Sequence, residues 1–145
     1  MAIIKGITTL YNLNNIQLFT FCLLIFILGL VIDEGSTYLA LKNFELGSDL
    51  EESNPVTRQI IIDYGAKGII NPFIFFAHQY KNYLKVILWL SSVFSLLLLL
   101  FVKLSLKRKL IIAISSSFLI MGIVKIYAGI HNFYVLFKFF ELLKI

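Results

Sequence analysis

The sequence predicts an all-α integral membrane protein, folded as a single domain (residues 1–145) containing a bundle of three to four transmembrane helices. Three observations support this prediction. First, 59% of the 145 residues are hydrophobic and only 14% are charged, whereas a soluble domain of this size needs a larger charged surface. Second, several apolar runs reach the roughly 17–25 residues that a helix needs to cross hydrocarbon. Third, basic residues are grouped beside these runs, as topology determinants are.

Four helical segments are expected, at about residues 16–41, 56–79, 84–103 and 110–136. Backbone N–H and C=O groups cannot stay unpaired in lipid, so the helix is the spanning form that these runs can take. The first segment follows the polar stretch 12–15, where an asparagine side chain can cap the helix.

The second segment decides the topology, because it is the least apolar. Its polar and helix-breaking residues are Arg58, Asp63, Lys67, Asn71, Pro72 and His78. If it spans, the protein has four crossings. If residues 56–80 are instead interfacial or re-entrant, it has three, and residues 78–83 (HQYKNY) form a turn among the headgroups, where tyrosines are favoured.

The positive-inside rule favours the three-span arrangement. In that arrangement Lys5 and the basic loop 103–109 are cytoplasmic, and residues 42–55 lie outside the cytoplasmic membrane. The net charge of +5 does not indicate nucleic acid as a partner, because the basic residues flank hydrophobic runs. The lipid bilayer is the partner that this pattern predicts.

Ionisable residues inside the apolar runs are candidate functional groups, since such residues are costly in a membrane and usually have a partner. Asp33 and Thr37 share a helix face. Asp33 lies about 25 Å along its helix from Ile16, and Lys125 lies about 22 Å from Leu110. In the three-span arrangement these depths match, so we predict an Asp33–Lys125 ion pair.

The last segment carries a stripe of small and polar residues at helical spacing. Gly122, Lys125, Gly129 and Asn132 fall on one face. Small residues permit close approach of membrane helices, and an asparagine can hydrogen-bond across the contact. Ordinary helix packing accounts for this stripe. His131 lies at the same end, so the polar intramembrane cluster predicted from the sequence is Asp33, Thr37, Lys125, His131 and Asn132.

A metal site is an alternative for part of this cluster. Asp33, Glu51 and His131 offer two carboxylates and one imidazole, ligand types suited to zinc or iron. The sequence has no HExxH motif and only two histidines. We therefore predict no cofactor, and a divalent metal held by these three residues is the less favoured alternative.

Six of the eight acidic residues fall between residues 33 and 55. At the end of this stretch Pro55 suits the first turn of a helix, and Asn54 suits its N-cap. Glu51 and Glu52 precede that helix start, where the helix dipole favours negative charge. The turn formed by these four residues can therefore be purely structural.

Parts of the first helix, the acidic turn and the last segment resemble a known family. The spacing Asp33-x-x-x-Thr37, the turn Glu52-x-Asn54-Pro55 and the late Asn132 resemble a family of small, uncharacterised prokaryotic multi-span membrane proteins. The resemblance covers residues 16–60 and, more loosely, 122–136. It implies a similar topology and gives no activity to transfer. It also makes Glu52, rather than Glu51, the acidic residue of the turn.

Two functions follow as expectations. The first is an accessory or structural subunit of a larger membrane complex, because apolar surface and packing stripes are abundant and catalytic motifs are absent from the sequence. Such a subunit would be without catalytic activity of its own, and its partners would be other membrane proteins. The alternative is a metal-dependent or proton-handling protein with a polar site around Asp33, Glu51 or Glu52, and His131.

Overall fold

The computed structural model describes residues 13–43, 55–65 and 67–142. The helices are α1 (Asn15–Asn43), α2 (Pro55–Tyr64), α3 (Lys67–Ile70), α4 (Pro72–Phe101) and α5 (Leu106–Leu142). These described ranges contain no β-strand, and the all-α prediction is confirmed. Three of the described helices, α1, α4 and α5, are long and apolar enough to cross a membrane. The fold is that of a multi-pass helical membrane protein.

Helices α1 and α5 run parallel, in contact along much of their length. At their beginnings the Arg108 guanidinium donates hydrogen bonds to the Asn15 side chain and to the Leu13 carbonyl. Much further along both helices, Lys125 reaches Asp33. Because the two contacts occur in the same order along α1 and along α5, the two helices run parallel.

Glycines bring the two parallel helices together between these contacts. A Cβ atom added to Gly122 would lie 2.8 Å from the backbone of Ile25, and one on Gly29 would lie 2.5 Å from the Gly122 carbonyl oxygen. Gly129 fits against Ile32 and Asp33 in the same way. The stripe on the last segment is therefore a close helix contact, as small residues in membrane helices permit.

Helix α4 returns antiparallel to α5. The hydroxyls of Ser91 and Ser117 lie 3.0 Å apart, and Tyr83 lies beside Lys125. Helix α5 is thus the central helix, with α1 parallel to it on one side and α4 antiparallel on another. Ser105 starts α5 by accepting a hydrogen bond from the Arg108 N–H.

The weak second segment, expected at about 56–79, is divided in the structure. It forms α2, α3 and the first part of α4. Gly65 breaks the helix with a φ of +68°, a left-handed conformation that glycine adopts without a steric penalty. Asn71 then caps α4, accepting from the N–H groups of Phe73 and Ile74, with Pro72 in the first turn.

The expected turn at residues 78–83 is wrong, and so is the expected start of the third helix at residue 84. These residues lie inside α4, which runs without interruption from Pro72 to Phe101. Residues 78–83 are polar, but they contain no glycine or proline to end a helix. Helix α4 instead begins earlier, at Pro72, with Asn71 as its N-cap.

The short helices pack against the long ones at the end where α1 finishes. Ile60, Ile61, Ile69 and Phe75 form a buried group, with Leu30 of α1 and Tyr83 of α4 packed against it. The Gln79 amide donates a buried hydrogen bond of 3.1 Å to Thr57. The segment 55–70 therefore lies beside the part of α1 and α4 that leads to the charged residues.

Candidate functional site

The charged residues of the bundle meet between α1 and α5 near that end. The Lys125 ammonium donates to Asp33 Oδ2 at 2.5 Å and to Glu34 Oε1 at 3.2 Å. All three side chains are between 11% and 15% exposed. The ion pair predicted from the sequence is present, and it includes a second carboxylate. We call Asp33, Glu34 and Lys125 the charged cluster.

Polar side chains one turn further along complete the surroundings of Asp33. The Asn132 amide nitrogen lies 3.5 Å from Asp33 Oδ1, 3.2 Å from Ser36 Oγ and 3.3 Å from Thr37 Oγ1. Ser36 and Thr37 in turn donate to the Asp33 carbonyl oxygen. Asn132 has two amide hydrogens to share among three acceptors, so its contact with the carboxylate is the weakest of the three.

Helix α4 contributes Tyr83 to the same place. The Lys125 ammonium lies 5.4 Å from the centroid of the Tyr83 ring, a distance at which a cation is attracted to an aromatic face. The Tyr83 hydroxyl is buried and has no hydrogen-bond partner in the described part of the chain. Lys125 lies on α5, and residues of α1 and α4 contact it, so all three long helices contribute to the site.

The charged cluster lies near one end of the apolar part of the bundle. Asp33 follows Asn15 by 18 positions and Lys125 follows Arg108 by 17, which is about 25–27 Å of helix in each case. The hydrocarbon core of a bilayer is about 30 Å thick. Between residues 21 and 32 all the exposed side chains of α1 are apolar, among them Leu24, Ile27 and Val31. Two polar levels thus bracket a layer close to the thickness of hydrocarbon.

The other predicted site residues lie elsewhere. His131 is on α5, but its side chain is exposed. Glu51, Glu52 and Asn54 lie outside the described residues, and Pro55 begins α2. Among residues 13–43, 55–65 and 67–142 no group of three or more His, Cys, Asp or Glu side chains could hold a metal. The site with Glu51 as a ligand stays a prediction.

Sequence reasoning missed Glu34, Ser36 and Tyr83. Adjacent residues on a helix point about 100° apart, so helix geometry alone does not direct both Asp33 and Glu34 toward α5. The long, flexible lysine side chain reaches both. The sequence did contain a signal for Glu34. It is a second acidic residue beside an apolar run, and its charge needs a partner as much as that of Asp33 does.

With all three groups ionised, the charged cluster carries one more negative than positive charge. It can hold α1 and α5 in one register, because sliding the helices would separate buried charges. It can also accept a proton or a cation, which would neutralise the excess carboxylate.

The fold and this site define a class, a small multi-pass helical membrane protein with charges paired between its helices. No family model, curated protein sequence or solved structure matches the chain. The resemblance to a family of small prokaryotic membrane proteins therefore stays a prediction.

Proposed function

We propose that this protein is an accessory or structural subunit of a larger membrane protein complex, without catalytic activity of its own, and that α4 contacts the partner. The single observation that carries the proposal is Trp89. It is the one tryptophan of the chain, it is 66% exposed, and it stands at the middle of the apolar stretch Ala77–Leu100.

A tryptophan in this position suits a protein neighbour better than lipid. In membrane proteins, tryptophan is enriched at the two interfaces, where its N–H meets water and headgroups. The Trp89 indole forms no hydrogen bond with the described residues, and hydrocarbon offers no acceptor. At protein interfaces, by contrast, exposed tryptophans often dominate the binding energy. A partner helix supplies both the packing surface and an acceptor.

The surroundings of Trp89 support the same proposal. Helix α4 packs on α5 along one side, with α2 and α3 beside its beginning. Its outward side chains form a long apolar face, with exposed Leu84, Leu88, Leu96 and Leu100. The polar residues of the charged cluster face inward, so they are not free to bind a substrate from outside.

The test is mild solubilisation from the native membrane, followed by native sizing and mass spectrometry of everything that co-purifies. We expect larger chains in fixed stoichiometry, and we expect Trp89→Leu to release them. Leu24→Ala, at an exposed position of α1, is the matched control and should keep them. A chain that purifies alone, or a complex that survives Trp89→Leu and is lost in Leu24→Ala, would overturn the proposal.

A second candidate function, proton handling, is favoured by the excess carboxylate of the charged cluster. A buried net charge is costly in a membrane, so the Asp33 and Glu34 carboxylates offer a favourable place for a proton or a cation. Reconstituted liposomes with an internal pH dye should then dissipate a proton gradient. Glu34→Gln should abolish the dissipation, and Asp63→Asn, at an exposed position of α2, should not. Equal rates in liposomes with and without the protein would exclude this function.

The orientation of the chain in the membrane is part of the same proposal. The end of the bundle that carries Lys103 and Lys107 is cytoplasmic by the positive-inside rule, and residues 42–55 lie outside. Cys22, the one native cysteine, is buried. It should therefore not react with a thiol reagent, and single cysteines introduced elsewhere can be probed in its presence. Lys103→Cys in intact cells should resist a membrane-impermeant thiol reagent, whereas Asp63→Cys should react. The reverse pattern would invert the topology without affecting the subunit proposal.

A further inference from the structure

The face of α5 that points away from the bundle carries six large apolar side chains. They follow each other at alternating spacings of three and four residues, and all six are exposed. We call this face the outer stripe, and its residues are Ile120, Ile123, Tyr127, Ile130, Tyr134 and Phe137. The opposite face of α5 is covered by α1, since Gly122 and Gly129 fit against the α1 backbone. Asn132 continues that covered face, where it contacts Ser36 and Thr37.

The far part of the outer stripe extends beyond the hydrocarbon. Tyr134 follows Lys125 by nine positions and Phe137 follows it by twelve, which is about 13 and 18 Å of helix. The charged cluster lies near the edge of the hydrocarbon, and the headgroups add only about 5–8 Å on each side of a bilayer. A tyrosine among the headgroups is favoured, which accounts for Tyr127. Lipid does not cover Phe137, so its exposed ring calls for a protein neighbour.

The spacing of the outer stripe indicates that this neighbour is a helix. Residues at alternating spacings of three and four stay on one side of a helix, and two helices that pack side by side over several turns use this pattern. The stripe begins at Ile120, inside the hydrocarbon, and continues to Phe137 beyond it. The neighbouring helix therefore crosses the membrane beside α5 and extends to the same height.

A second copy of this chain meets these conditions. Copies with the same orientation in one membrane have parallel α5 helices with their outer stripes at the same depth, so a two-fold symmetric contact can form. Between Ile120 and Phe137 the one charged residue is Lys125, which contacts Asp33 of α1 instead. Two outer stripes can therefore meet without the repulsion between like charges that identical surfaces often cause.

The area of the outer stripe is also sufficient for a dimer. Its side chains are between 36% and 73% exposed, which corresponds to about 650 Å² in each copy if a large side chain has about 200 Å² of surface. A symmetric contact would bury this area twice, about 1,300 Å² in total. Stable interfaces between proteins bury about 1,200–2,000 Å².

We propose that the outer stripe binds a second copy of this chain, with the two α5 helices parallel and side by side. The proposal goes beyond the proposed function, which assigns a partner to Trp89 on α4 and leaves α5 unassigned. It does not depend on that function, because α4 and the outer stripe are different surfaces.

The experiment is oxidative cross-linking of single-cysteine variants of the full chain in native membranes. In a parallel symmetric dimer, each position of the stripe lies opposite the same position of the other copy. We therefore expect Tyr134→Cys to form a disulfide-linked species of twice the mass of the chain. Val135→Cys is the matched control, because Val135 is exposed at the same depth but points about 100° away from Tyr134. It should give no such species, and neither should the wild type, whose Cys22 is buried.

A second measurement needs no cross-link. Native mass spectrometry of the wild type should give two copies, and Phe137→Glu should reduce this to one, because two carboxylates would then face each other across the contact. Val135→Glu adds the same charge at the same end of α5, outside the stripe, and should keep two copies.

Equal cross-linking of Tyr134→Cys and Val135→Cys would overturn the proposal, because chance collisions would then explain the product. A single copy of the wild type, or a cross-link from Tyr134→Cys to a different protein, would also overturn it. The two proposals fail separately. Two copies without larger chains would support the dimer and overturn the subunit function, whereas one copy bound to larger chains would do the reverse.

Discussion

The two polar ends of the α1–α5 pair use similar residues in opposite ways. At the charged cluster, Lys125 lies between the carboxylates of Asp33 and Glu34, which compensate its positive charge. At the beginnings of the same two helices, the Arg108 guanidinium donates hydrogen bonds to two neutral oxygen atoms, those of the Asn15 side chain and the Leu13 carbonyl. One end joins the helices through ion pairs, and the other joins them through hydrogen bonds from a cation to neutral acceptors.

This difference predicts which end of the helix pair contributes more to stability. Buried ion pairs fix helix register, since removing the shared cation leaves buried negative charge without its partner. A hydrogen bond from a cation to a neutral oxygen atom contributes less, about 1.5–3 kcal/mol. The four variants below test the comparison, starting with the largest expected effect.

Lys125→Met should lower the free energy of unfolding by about 3–5 kcal/mol, because it leaves Asp33 and Glu34 buried without a counter-charge. Equilibrium unfolding in mixed micelles, followed by the fluorescence of Trp89, measures this change. Lys138→Met, at an exposed position of the same helix, is the control. The charge swap Asp33→Lys with Lys125→Asp should recover part of the loss. A swap that recovers nothing would mean that the ion pair does not hold the helices together.

Arg108→Ala should cost about 1.5–3 kcal/mol, the range for hydrogen bonds made by charged groups. It removes the contacts that hold Leu13 and Asn15 at the beginning of α5. The same unfolding measurement applies, with the exposed Lys107→Ala as its neighbour control. Indistinguishable values for the two variants would show that the Arg108 contacts contribute nothing to helix pairing.

Gly122→Ala should cost about 1–3 kcal/mol, as overpacking of a tight contact does. The new Cβ would meet backbone atoms of Ile25 and Phe26 at 2.8 Å, and backbone cannot move aside as a side chain can. Gly35→Ala is the matched control on α1, because a Cβ there meets nothing within 4 Å. It should be neutral or stabilising, since alanine favours a helix over glycine by about 1 kcal/mol. Equal costs at both positions would contradict the close contact of α1 and α5.

Ser91→Ala should have the smallest effect, about 0.6 kcal/mol, which is typical of hydrogen bonds between membrane helices. It removes the 3.0 Å contact with Ser117 between α4 and α5. Ser92→Ala is the control, because Ser92 bonds to the Leu88 carbonyl of its own helix. A large loss for Ser91→Ala would mean that α4 depends on this contact more than on its apolar packing.

The sequence by itself determined the protein class and most of its long helices. Apolar runs of sufficient length specify membrane helices wherever they occur, because the bilayer leaves the backbone no other way to pair its polar groups. Depth also followed from counting residues, since the rise of a helix is constant. The Asp33–Lys125 pair was therefore predictable before any contact was known.

Only the tertiary structure decided the rest. The start of α4 at Pro72, with Asn71 as its N-cap, depends on local capping geometry that hydropathy does not register. The inclusion of Glu34 and Tyr83 required the relative rotation of three helices. Hydropathy and residue counting describe one helix at a time, whereas the side chains that meet are set by rotation and register between segments about 90 residues apart. The charged cluster and the Arg108 contacts are properties of that pairing, which no single segment contains.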